Sequence, residues 1–96
     1  MFFVYILQSV TTRRFYVGHT DDLAQRVAEH NAGRSPYTKG RGPWVLVCVE
    51  AFSTRAEAMK RERESKARKS RRYIEKLVER YRVRARGASD DQGLTG

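Results

Sequence analysis

Phe2 to Gln8 is rich in aromatic and β-branched residues, "SVTTRR" supplies turn and polar positions, and Phe15 to Val17 resumes the apolar pattern, which predicts a β-hairpin. If its register sets Tyr5 opposite Tyr16, both rings lie on one face, with Cβ atoms within ~5.5 Å. Thr20 or Asp21 can then cap a helix running to about Asn31, with Asp21 and Asp22 favourable in its first turn, Leu23 and Val27 facing inward and Gly33 as the stop. The stretch "GRSPYTKGRGP", Gly33 to Pro43, reads as a loop with a positive rim. "WVLVCVEA", Trp44 to Ala51, is apolar on both parities up to Glu50, as expected of a central strand covered on both faces. Thr54-x-x-Glu57 is a capping box opening a second helix. Ser70 can cap a third, in which Tyr73, Ile74, Leu77, Val78 and Tyr81 recur at helical spacing.

The order strand, strand, helix, strand, helix, helix implies an α+β domain: a three-stranded antiparallel sheet flanked by helices. Ninety-six residues suffice for one domain, read as residues 1–86, and "ASDDQGLTG" has nothing to bury, so 87–96 is expected to be a disordered tail. The single cysteine, Cys48, excludes an internal disulfide and a cysteine-rich zinc site, which leaves it a structural role. No apolar run approaches the ~20 residues of a membrane span and Met1 leads straight into a strand pattern, so the chain is expected to be soluble and cytoplasmic.

Charge changes the picture once it is located. Residues 1–59 carry seven Lys/Arg against five Asp/Glu, residues 60–86 thirteen against four, and the remainder only two acidic residues. The net +9 therefore resides in one segment. A polyanion is the partner this implies, and nucleic acid before membrane, because the segment has no broad Trp/Phe/Leu face for insertion.

Several polar residues sit where a builder of plain core would not place them. Asp22, Arg26 and His30 recur every four residues beside the Leu23/Val27 stripe. On the second helix Glu62 falls on the face of Ala58 and Met59, whereas Glu57 belongs to the cap and Glu64 points elsewhere. A carboxylate aimed inward needs a cation, either an arginine or a bound metal.

Phe3-Val4-Tyr5, then Tyr16-Val17-Gly18, then Arg26 with His30, then Arg61-Glu62, over roughly residues 2–66, resemble the GIY-YIG nucleases. "HNAG", "KGRGPW" and "EAMKRE" are most similar to a small single-domain bacterial branch, which also resembles the nuclease domain of structure-specific resolvase subunits. The resemblance implies a metal-dependent DNA endonuclease, a phosphodiester hydrolase of the cytoplasm acting in DNA repair. It implies one divalent metal, Mg²⁺ or Mn²⁺, on Glu62, Arg26 on the phosphate, and Tyr5 and Tyr16 near the attacking water. The chain departs from the pattern in having Phe-Val-Tyr for Gly-Ile-Tyr, and in lacking an asparagine after the metal glutamate.

The chemistry suits these residue types. Mg²⁺ prefers oxygen ligands, keeps several waters and can be anchored by one carboxylate plus the substrate phosphate. Arginine supplies fixed donors to phosphoryl oxygens, and a tyrosine can act as base if neighbouring cations lower its pKa from about 10. His30 could orient a tyrosine or relay a proton, with His19 as a second neighbour of the substrate. Arg34, Lys39 and Arg41 on the loop, and Lys66, Lys69 and Arg72 on the basic face, are the expected phosphate contacts. A small domain with little surface for a long duplex site is expected to act as a monomer and to select branched or single-stranded DNA rather than a sequence.

Each residue also has a purely structural reading. Tyr5 and Tyr16 can be amphipathic strand residues, Arg26 and Glu62 a neutralising pair, His30 a helix-end residue, Gly18 a turn or a close backbone approach, and the basic helix a solvated face. The alternatives in function are a non-catalytic nucleic-acid-binding module with the same fold, or an RNA-directed nuclease.

Overall fold

A computed structural model of the chain describes residues 1–68 and 71–81. Lys69, the expected cap Ser70 and the expected tail lie outside these residues. Two strands, β1 (Phe2–Ser9) and β2 (Phe15–Thr20), are followed by helix α1 (Leu23–Asn31), strand β3 (Trp44–Phe52) and helices α2 (Arg55–Arg68) and α3 (Arg71–Arg80). The strands form an antiparallel sheet in the order β2-β1-β3, so the α+β class and element order are as expected.

The central strand is β1, not β3. Val4, Tyr5, Ile6 and Leu7 are all buried, and their side chains alternate between two cores. On one face Tyr5, Leu7 and Trp44 pack with Tyr16, Leu23, Val27 and Leu46. On the other, Val4, Ile6, Val17 and Cys48 pack with Ala58 of α2 and Ile74 of α3. The apolarity of β3 on both parities has a local cause. Its register against β1 shifts between Leu46, opposite Leu7, and Cys48, opposite Ile6. A bulge of this kind moves even-numbered positions from one face to the other, so an edge strand acquires the pattern of a central one. Cys48 is buried, its thiol meets the Leu77 carbonyl, and burial pushes its pKa up to about 11, which fits a structural residue.

Asp22 caps α1, its carboxylate accepting from the Gln25 N–H, so no acidic residue occupies the first turn. Neither expected cap, Thr20 or Asp21, serves: the helix starts one residue later, Thr20 accepting the Asp22 N–H and Asp21 lying 3.6 Å from the Arg55 guanidinium. Gly33 at φ 77° ends the helix as expected, turning the chain so that the Arg34 N–H reaches the Glu29 carbonyl. The α2 capping box is complete: the Thr54 N–H donates to Glu57 Oε1 and the Glu57 N–H to Thr54 Oγ1, each at 3.2 Å. Tyr73, Leu77, Val78 and Tyr81 join Ile74 against the sheet, as their spacing implies.

Candidate active site

The hairpin register brings Tyr5 opposite Gly18 and Tyr16 opposite Leu7, two residues away from the expected pairing. A two-residue slip preserves the face, so the tyrosines remain diagonal neighbours with ring centroids 6.3 Å apart. Gly18 fills neither a turn nor a left-handed position. A Cβ there would stand 2.6 Å from Tyr5 Oη and 2.8 Å from Tyr5 Cζ, so its missing side chain is the space that the Tyr5 phenol occupies.

His30 is the third ring. It reaches this cluster from the end of α1, 1% exposed, deeper than a stripe flanking the core would place it. Its Nε2 lies 2.9 Å from Tyr5 Oη, its Nδ1 lies 2.8 Å from Thr38 Oγ1, and its ring centroid is 4.7 Å from that of Tyr16. Burial holds His30 below the usual histidine range, helped by Arg26, so the neutral ring has one N–H to donate and one nitrogen to accept. Burial first, and then the neighbouring Tyr16, push the Tyr5 hydroxyl up to about 12, with Arg26 opposing. Tyr5 therefore holds its proton at neutral pH.

Thr38 was not legible as part of the site. It lies in the polar loop after α1, where no periodicity marks a buried position, yet it is 1% exposed and its carbonyl accepts the Trp44 Nε1–H at 3.0 Å. Asn31 fixes the other end of this loop, accepting the Trp44 N–H and donating to its carbonyl.

Arg26 stands beside the phenols but pairs with Glu29 at 2.9 Å, not with Glu62. Its pKa is raised, chiefly by Glu29 against the effect of burial, with Tyr5 and Tyr16 adding to it. Glu62 lies on the inward face of α2, flanked by the buried residues Ala58 and Ser65. Met59, expected on that face, is 40% exposed. Among the described residues no arginine neutralises Glu62: its Oε1 meets His19 Nδ1 and its Oε2 takes Lys66 Nζ at 2.7 Å. Burial works to raise the Glu62 pKa, but the hydrogen bonds from Lys66 and His19 outweigh it and the net shift is downward. Lys66 Nζ also stands 5.7 Å from the Tyr16 ring centroid and so links the carboxylate to the phenol cluster.

Among the described residues no three of His, Cys, Asp and Glu gather as a ligand set. Glu62 is nevertheless a suitable anchor for a hard cation that takes one carboxylate and completes its shell with water and phosphate. Lys66 is half-exposed on a flexible stem and already brings a positive charge to this carboxylate. Of the remaining expected contacts, Arg34, Lys39 and Arg41 are exposed on the loop and Arg72 is exposed on α3.

Two phenols, a guanidinium, a buried neutral imidazole and an inward carboxylate thus meet on a three-stranded α+β domain. The GIY-YIG catalytic domain matches residues 1–76, and the chain belongs to that nuclease family. Its relatives include a UPF0213 protein of Haloquadratum walsbyi, 46% identical over 68% of this chain and 73% of the relative. Another, from Staphylococcus haemolyticus, is 40% identical over 81% of this chain and 95% of the relative. The solution NMR structure of a UPF0213 protein from Bacillus halodurans superposes with a TM-score of 0.52 at 42% identity, covering 82% of this chain and 84% of that one. No helix among the described residues is long and apolar enough to cross a membrane.

Proposed function

We propose that the chain is a metal-dependent endonuclease that hydrolyses phosphodiester bonds in DNA and selects its substrate by structure rather than by sequence. The observation that supports this most is the packing of Tyr5, Tyr16 and His30 as one ring cluster, with Arg26 beside it and Lys66 connecting it to Glu62. A structural core has no use for so many polar groups at one corner of a sheet.

In hydrolysis a water oxygen bonds to phosphorus as the bond from phosphorus to one ester oxygen breaks. One water proton passes to a base, the other stays on the new phosphate oxygen, and the leaving oxygen takes up a proton from that base or from solvent. Arg26 is the donor to the phosphoryl oxygens, where charge develops in the transition state. Tyr5, held protonated by burial and oriented by His30, positions the water or a phosphate oxygen rather than taking a proton. Its orientation is fixed in turn by the contact of His30 with Thr38, so the site is organised before substrate arrives. Tyr16, whose ring Lys66 approaches, is the base of this proposal and would accept the water's proton only as the phenolate. A Mg²⁺ or Mn²⁺ ion on Glu62 would neutralise charge on the phosphate and stabilise the leaving oxygen. His19 keeps the carboxylate oriented. Arg34, Lys39, Arg41, Lys66, Lys69 and Arg72 bind the backbone of the nucleic acid. Residues 1–86 form the working domain, residues 87–96 a dispensable tail, and the protein acts as a cytoplasmic monomer in DNA repair.

The test is incubation of purified protein with labelled duplex, single-stranded, flap and four-way DNA, and with RNA, in Mg²⁺, Mn²⁺ or EDTA. Metal-dependent cutting of branched or single-stranded DNA supports the proposal. Binding without cutting in every condition contradicts it.

A further inference from the structure

Tyr5 and the other tyrosines of the described residues are buried or half-buried, with one exception: Tyr37 is 71% exposed. The loop that carries it is not loose. Ser35 and Thr38 on either side are each 1% exposed. The Ser35 carbonyl accepts the N–H groups of Thr38 and Lys39 at 3.2 and 2.9 Å, and the Tyr37 carbonyl accepts Arg41 Nη1 at 3.0 Å. Pro36 fixes φ immediately before it. A tight, pinned turn thus holds out a large aromatic ring that contributes nothing to the core. The next residue, Thr38, meets His30 of the ring cluster. The exposed cations Arg34, Lys39 and Arg41 flank it in the chain.

We infer that Tyr37 is a stacking platform for an unpaired nucleobase next to the phosphate held at the Tyr5/Tyr16 cluster. A rigid aromatic surface in a positive rim is the chemistry that single-stranded nucleic acid recognises: cations track the backbone while the ring takes the π-face of any base. Pre-organisation of the turn means that little loop entropy is lost on binding. The inference rests on the nuclease reading and deepens it, because a base can reach Tyr37 only when it is free of its duplex partner. Structure selectivity would then come from one side chain outside the catalytic cluster.

The test uses the full-length protein in EDTA, so that binding is read without cutting. The probes are a short single-stranded deoxyoligonucleotide carrying 2-aminopurine at successive positions, its RNA counterpart and the matching duplex. Tyr37→Ala is expected to weaken single-strand affinity about tenfold, abolish quenching at one probe position and leave duplex affinity unchanged. Tyr37→Phe and Tyr37→Trp are expected to keep both signals, since stacking needs the ring and not the hydroxyl. Losses on DNA alone, or equally on DNA and RNA, support the platform. If Tyr37→Ala binds and quenches as the parent does, the platform is overturned while the nuclease reading stands. If the parent binds no nucleic acid at all, both are overturned.

Discussion

Tyr5 Oη and His30 Nε2 lie 2.9 Å apart, each residue only 1% exposed. The buried hydroxyl is the partner of the buried imidazole nitrogen, so loss of the hydroxyl leaves that His30 nitrogen without one, whereas Tyr5 also has the Arg26 side chain as a hydrogen-bond partner. The two tyrosines should separate on this basis. Tyr5→Phe orphans a His30 nitrogen and should lower stability by about 1–3 kcal/mol, whereas Tyr16→Phe should leave the melting temperature nearly unchanged. Both should lower the cleavage rate much more than DNA affinity. Thermal melts beside single-turnover rates check this; equal rates for parent and both variants would make the tyrosines ordinary packing residues.

Gly18→Ala should damage the same site from the opposite strand. Its Cβ would stand 2.6 Å from Tyr5 Oη and 3.1 Å from Tyr16 Cε2. The Tyr5 ring is buried on all sides and cannot swing away, so overpacking should cost about 1–3 kcal/mol. Cleavage should fall with it. Denaturant unfolding and activity of the alanine variant measure both effects.

Much of this was legible in the chain, and what was not has physical reasons. Element order, the Thr54/Glu57 box and the α3 face are local, fixed by periodicity and by contacts within one turn. Register is not local. The hairpin pairing was displaced by two residues, and period-two side-chain alternation cannot detect such a shift. The central position assigned to β3 failed because a bulge near Val47 copies the apolar pattern of a strand buried on both faces. Tyr5, Tyr16, His30 and Glu62 were identifiable as chemically charged choices on otherwise apolar faces, but most of their partners were not. Thr38 meets His30 from a loop, and His19 and Lys66 meet Glu62 from a different strand and from the next helical turn. Only folding brings Thr38 and His19 into place; the Glu62–Lys66 pair, four residues apart on one helix, is local and was open to a reading of the chain.

The neutral state of buried His30 predicts a pH effect of definite sign. Its pKa in the fold lies below the ordinary 6.5, so the unfolded chain takes up the proton first as pH falls. The contribution of the neutral ring to stability is complete above 6.5 and declines as pH drops from there toward the lower pKa in the fold. Glu62 and Glu29 are shifted downward from 4.5, so their effects belong to more acid conditions. Melting temperature between about pH 7 and 5 should therefore fall more in the parent than in His30→Asn, which has no proton to gain. Parallel curves would contradict this.

Salt should reveal how the exposed cations act. If Arg34, Lys39, Arg41 and Arg72 meet phosphates, DNA affinity falls linearly on a log–log plot against salt. Replacing any one by alanine should reduce the slope by about 1 and weaken binding similarly across sequences. Affinity titrations at several salt concentrations, on two unrelated sequences of one structure, provide the check.

Glu62 is proposed to anchor the ion on which cleavage depends, and Glu57, five residues earlier on the same helix, is its internal control. Glu57→Gln keeps most of the capping hydrogen bonds and should alter stability by less than ~1 kcal/mol. Glu62→Gln removes the charge that His19 and Lys66 surround. It should lose a modest amount of stability rather than gain any, the opposite of what a lone inward carboxylate would imply. The decisive measurement is the Mg²⁺-stimulated single-turnover cleavage rate of the two folded variants against the parent, with DNA affinity measured in parallel. The expected result is a Glu57→Gln enzyme near the parental rate and a Glu62→Gln protein that binds DNA but shows no metal-stimulated cutting. A Glu62→Gln enzyme that cuts at the parental rate in Mg²⁺ would contradict the assignment.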